Sequence, residues 1–206
     1  MTTLILHGIM SLCATARRRP RLALVLALAG LAGSGLSGCS LPPASPSLDV
    51  AIAQDVVLVL PSPADLGRRI EAVQRVTARR AGDTHVFEAR LSVDAERLML
   101  VGTDSLGRRA MTIQWRPGAV TVDKADWVPD TLRPENVLAD IVLLYWPEAV
   151  LKRAVRGAPV RDQGHGRRIG DAIRVNWDGD PWSGRARLIN ASFGYELDVR
   201  STTVAP

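Results

Sequence analysis

From residue 68 onward the chain repeats with period two, and this alternation constrains its fold more than any other feature. Ile70, Ala72, Gln74 and Val76 share one side, with Glu71, Arg75 and Arg79 on the other. Phe87, Ala89, Leu91 and Val93 alternate with Glu88, Arg90, Ser92 and Asp94, and Met111, Ile113 and Trp115 repeat the pattern before Pro117-Gly118 turns the chain into Val120 and Val122. Successive strand side chains point to opposite faces, so a one-sided apolar set predicts antiparallel strands with one packed face and one wet face. Residues 98–101 are continuously apolar, which predicts a strand covered on both faces. Turn formers separate these runs at Ala81-Gly82-Asp83, Asp94-Ala95-Glu96 and Asp104-Ser105-Leu106-Gly107. Loops this short join sheet neighbours, so the order is a meander.

At Pro134 the period changes. Val137, Leu138, Ile141, Leu144 and Tyr145 make one helical stripe, and Pro134 and Glu135 suit a first helical turn. Trp146-Pro147 ends that helix and opens a second over residues 148–155. Strands resume with Ile173, Val175 and Trp177, then the loop Asp178-Gly-Asp-Pro-Trp-Ser-Gly184, residues 185–189, and Tyr195, Leu197 and Val199. The fold class is therefore mainly β, within α+β. The expectation is a curved antiparallel half-barrel with two helices packed in or over its concave face.

The amino-terminal region has a different character. Arg17, Arg18, Arg19 and Arg21 precede an apolar run over residues 22–33 and then Leu36-Ser37-Gly38-Cys39. A positive segment, a short apolar core and small residues before a cut describe a secretory signal peptide, starting at Met1 or Met10. The run is shorter than the ~20 residues of a membrane-spanning helix. Leu-Ser-Gly-Cys resembles the lipobox of bacterial lipoproteins, which implies cleavage after Gly38, diacylglycerol on the Cys39 thiol and acylation, as with palmitate, of the new amino terminus. Several acyl chains hold a protein on a bilayer where a single one binds reversibly. Ser40 in place of Asp implies, by the same resemblance, an outer-membrane destination facing the periplasm of a Gram-negative bacterium. The expected organisation is residues 1–38 as signal peptide, 39–63 as a lipid-anchored Pro- and Ser-rich tether, and 64–206 as the folded domain. Within the tether, residues 56–60 (Val-Val-Leu-Val-Leu) have the character of a first strand.

Removing residues 1–38 from the 206 leaves 168, enough for one domain with an ordinary core. Four of the 26 basic residues leave with the leader, so 22 remain against 21 acidic ones, a net charge of +1. That balance argues against nucleic acid as a partner, because no basic surplus drives counterion release. With Cys39 lipidated and Cys13 in the leader, the folded part has no thiol for a disulfide or a zinc site.

No motif for covalent chemistry emerges. Gly102-Thr-Asp-Ser-Leu-Gly107 lacks the Gly-Lys-Ser/Thr of a phosphate loop and leads into a strand, so it predicts a hairpin turn. No Gly-x-Ser-x-Gly elbow occurs. His165 lies in a Gly/Arg-rich loop, and Asp178 and Asp180 belong to a turn-forming run. Asp140, inside an apolar helix, predicts a buried pair with an arginine. The expectation is a protein that is not an enzyme and needs no cofactor or metal.

The inward residues are instead large and apolar: Phe87, Leu91, Leu98, Leu100, Met111, Ile113, Trp115, Leu138, Ile141, Trp146 and Trp177. They are the candidate wall of an apolar cavity. A cavity wall and a solid core use the same residues, so both readings stand at this level.

Three segments resemble one family. Arg97-Leu-Met-Leu-Val-Gly-Thr-Asp-Ser-Leu-Gly-Arg-Arg109, Leu138-Ala-Asp-Ile-Val-Leu-Leu-Tyr-Trp-Pro147 and Gly194-Tyr-Glu-Leu-Asp-Val199 are similar to elements of the DUF3261 family of bacterial lipoproteins, over about residues 60–200. The order of strands, helices and strands is similar to the LolA/LolB lipoprotein-localisation fold, an unclosed barrel with a helical lid. The resemblance implies binding or transfer of an apolar acyl group, whether a lipid, a lipoprotein acyl chain or a polyene lipid. Such transfer can run on differential affinity alone. The competing expectation is an assembly lipoprotein with a solid core that docks an outer-membrane protein.

Overall fold

The computed structural model describes residues 48–204 apart from Thr131. The chain divides into two units, Met1–Pro42 and Pro43–Pro206, and all described residues belong to the second. The expected leader, Cys39 and the first part of the expected tether lie outside the described residues.

Ten antiparallel strands form one open sheet in the order β7-β6-β5-β4-β3-β13-β12-β11-β10-β9. One meander runs through β3 (Ile70–Arg80), β4 (Asp83–Val93), β5 (Leu98–Asp104), β6 (Arg109–Arg116) and β7 (Ala119–Lys124). The other runs through β9 (Val160–Gln163), β10 (Gly166–Ile169), β11 (Ile173–Asp178), β12 (Arg185–Asn190) and β13 (Tyr195–Thr203). The two meet where β13 pairs with β3, from Tyr195 opposite Arg80 to Thr203 opposite Ala72. This seam lies in the middle of the sheet, so the first and last large strands support one another.

Helices α1 (Pro134–Tyr145) and α2 (Glu148–Ala154) carry the chain from one sheet edge to the other. Pro134 at the start of α1 has no N–H to leave unpaired, and Pro147 separates the helices. Along α1, residues Leu138, Ala139 and Ile141 to Tyr145 are buried, as a helix covered on more than one side must be. It packs against β12 of the large sheet and against β1 (Asp49–Ala53) of a small one. That second sheet joins β1, β2 (Val56–Val59) and the two-residue β8 (Val155–Arg156). Gly157 closes it with a left-handed backbone, and a Cβ there would collide with the Asp55 carbonyl.

Three expectations need correction. The span expected as a tether, residues 39–63, is folded from Leu48 onward: Val50, Ile52, Ala53, Val56 and Leu58 are buried as part of the core, with α1 packed against β1. The Pro and Ser content upstream masked that short apolar alternation. β5 is not covered on both faces, since Leu98 and Leu100 are buried whereas Met99 and Val101 are half-buried on the outer face. The Gly/Arg-rich stretch around His165 is a tight turn between β9 and β10 rather than a loop. Gly102 to Gly107 is the β5–β6 hairpin: the Asp104 carboxylate accepts from the backbone N–H of Leu106 and of Arg108.

Candidate functional site

The concave face is not uniformly filled. Toward the Trp115 end of β6, the inward side chains Leu91, Leu98, Ile113 and Trp115 are almost completely buried. Trp146 lies against Trp115 with ring centroids 5.7 Å apart, and its Nε1–H donates to the Ser62 carbonyl at 3.2 Å. Leu138 of α1 is fully buried in the same mass. These residues make a solid core.

Toward the other end of the seam the inward positions carry small residues. Ala89 on β4 stands opposite Gln74 on one side and Gly102 on the other, and Ala78 stands opposite Leu197. Small side chains facing a helix leave unfilled space, and an apolar pocket of about 140 Å³ lies there, lined by Ala89, Gly102, Leu100, Met111 and Ile141 among others. That volume is about the size of a cavity that holds one benzene molecule. A larger groove of about 480 Å³ adjoins it, and Ala78, Phe87, Leu132, Val137, Asp140 and Leu197 line both. The groove runs between the first half of α1 and the ends of β3, β4 and β13, within the range of small-ligand sites. Ala81 and Gly82, both with positive φ, make the two-residue turn that sets the β3–β4 hairpin at its rim.

Polar groups sit at two depths. Asp140 on α1 accepts a 2.6 Å hydrogen bond from the Tyr195 hydroxyl, which accepts in turn from Asn190 Nδ2 at 3.3 Å. Asn190 Nδ2 also donates to the Ile52 carbonyl, which ties β12 to β1. Asp140 keeps some accessible surface in the groove, but the protein around it strips enough water to push its carboxyl up to about 7, against the smaller opposing pull of Tyr195. The Tyr195 hydroxyl is raised by burial first and by Asp140 second, while Asn190 and the charge of Arg80 oppose the rise. The expected arginine partner for Asp140 is therefore corrected to a tyrosine 55 residues away. Deeper still, Tyr145 Oη accepts from Gln74 Nε2 at 2.9 Å and lies 3.3 Å from Ser201 Oγ. Burial lifts the Tyr145 hydroxyl to about 12, so it stays neutral. No buried side-chain polar atom lacks a partner among the described residues.

Of the eleven residues expected to wall one cavity, Phe87 lines both the groove and its inner pocket, and Leu100, Met111 and Ile141 line the inner pocket. Leu91, Leu98, Ile113, Trp115 and Leu138 belong to the solid core instead. Trp146 and Trp177 border a separate cleft of about 360 Å³ near the end of α1. There Trp177 Nε1–H donates to the Leu144 carbonyl, and the Arg167 guanidinium sits 5.2 Å from the Trp177 ring. Reading bulk as cavity wall missed the small residues Ala78, Ala89 and Gly102; their presence at inward positions was the available signal. Among the described residues no three His, Cys, Asp or Glu side chains gather as a metal site, and no helix is long and apolar enough to cross a membrane.

A family model described as a protein of unknown function, DUF3261, matches residues 71–203. The chain belongs to the DUF3261 family. The matched span takes in the large sheet and both helices, hence the elements that build the groove, while β1 and β2 lie before it. No curated protein matches the chain. In this DUF3261 protein the small inward residues and the Asp140–Tyr195 pair are thus features of the matched domain.

Proposed function

We propose that this DUF3261 protein is an outer-membrane lipoprotein, anchored through lipid on Cys39 and facing the periplasm, that binds an apolar acyl group and passes it on without covalent chemistry. The observation that carries the reading is the continuity of the 480 Å³ groove with the 140 Å³ inner pocket through shared apolar lining. Each methylene moved out of water contributes about 0.8 kcal/mol, so even a partly seated chain is held. Release needs only an acceptor that buries more of it. The sequence resemblance to lipoprotein-localisation proteins points the same way. A lipid, a lipoprotein acyl chain and a polyene lipid all present the required apolar segment.

The test is native mass spectrometry of the mature chain from residue 39, with Cys39→Ser, purified from periplasm. An acyl lipid retained near one per protein is the expected result. An empty protein that also fails to bind a fluorescent fatty-acid probe overturns the reading. Labelled palmitate, incorporated by the parent but not by Cys39→Ser, checks the anchor.

A further inference from the structure

The rim of the groove differs in charge from its walls. Below the rim the lining is apolar, with Phe87, Leu132, Val137 and Leu197 half-buried. The exposed residues around the opening include Arg79, Arg80, His85 and Arg133 against one acid, Asp83. The three arginines are not equally engaged. Arg79 pairs with Glu196 at 3.2 Å. Arg133 has only a loose 3.7 Å contact with Glu135. Arg80, the last residue of β3, has no ion pair among the described residues although Asp83 stands opposite it in the ladder. It falls in the inward row, opposite Tyr195, and its charge is felt at the Tyr195 hydroxyl, so its guanidinium lies near the groove.

An apolar well under an under-neutralised basic rim matches one class of molecule. We infer that the groove selects single-chain amphiphiles with an anionic head, a carboxylate or a phosphate monoester, with the head at Arg80 and Arg133 and the tail running past Phe87 and Val137 toward the inner pocket. This rests on the acyl-binding reading above and names its ligand class. The planar guanidinium offers paired N–H donors that fit either oxyanion. Because the rim is wet, its contribution is to choose among heads, and burial of the tail supplies most of the affinity. Asp140 sits further in, bonded to Tyr195, where the tail and not the head passes.

The experiment titrates the mature Cys39→Ser chain at low ionic strength with laurate, lauryl phosphate and lauryl alcohol, each below its micellar concentration. The two anions are expected to bind about 5- to 10-fold more tightly than the alcohol, a preference that fades in high salt. Arg80→Gln, combined with Arg133→Gln, should bring the ratio close to one with the alcohol affinity unchanged. Laurate favoured over lauryl phosphate, or the reverse, identifies which oxyanion the rim takes. Equal binding of alcohol and anions by the parent overturns the headgroup inference and leaves acyl binding standing. Binding of none of the three overturns acyl binding itself. Circular dichroism of the double variant confirms that the fold is kept; both positions are exposed.

Discussion

The two ends of the concave face are built on the same strands with the same period, yet one is solid and the other hollow. At the solid end Leu91, Leu98, Ile113 and Trp115 meet Leu138 and Trp146. At the hollow end Ala78, Ala89 and Gly102 face Val137, Asp140 and Ile141 across open space. The β4–β5 ladder keeps one register through both ends, from Val93 opposite Leu98 to Ala89 opposite Gly102, while the β5–β6 ladder shifts register just after Gly102 at the hollow end. Side-chain volume at a few inward positions therefore separates a core from a pocket within the same strands.

That difference predicts unequal responses to substitution. The largest effect belongs to the solid end: Trp115→Ala should cost about 3–5 kcal/mol in urea unfolding, because the hole it leaves has rigid neighbours. Val137→Ala at the groove should cost less than half of that. If the two costs are equal, the contrast between the ends fails.

The next effect is pH-dependent and belongs to the hollow end. Asp140 has a carboxyl lifted from the usual 3.8 to about 7 by burial. Between those values the folded state binds a proton that the unfolded chain has released, so its stabilising effect is full below about pH 4 and is lost as pH rises through 7. At about 1.4 kcal/mol per unit, the loss is of the order of 4–5 kcal/mol at most. Asp140→Asn keeps an acceptor for Tyr195 and should flatten this slope, leaving the variant more stable than the parent above pH 7. Unfolding midpoints at a series of pH values decide it, and equal slopes in parent and variant would sink the assignment.

The smallest effect on stability carries the largest effect on binding. Ala89→Leu places a branched side chain into the inner pocket and should change unfolding free energy by about 1 kcal/mol or less, since the space is already there. Binding of a fluorescent fatty-acid probe should weaken at least about 10-fold, as buried chain length is lost. Unchanged probe affinity with Leu at position 89 would move the ligand out of that pocket.

Much of this molecule is determined locally. The alternation about Phe87 and Leu91, the hairpin at Asp104 and the helix start at Pro134 follow from φ/ψ preferences and from which side chains must leave water together. Those are properties of adjacent residues, so the longer strands and both helices are legible along the chain, whereas the four-residue β9 and β10 on either side of the His165 turn are not. Short β1 was hidden beside Pro-rich sequence, because five residues carry too little period to stand out. The tertiary structure alone decided which strands close the sheet, that Asp140 would meet Tyr195 and Ile52 would meet Asn190, and which inward residues would be wall and which core. Each of those outcomes depends on the volume and polarity of a partner far away in sequence, and a one-dimensional pattern holds no record of what will stand opposite.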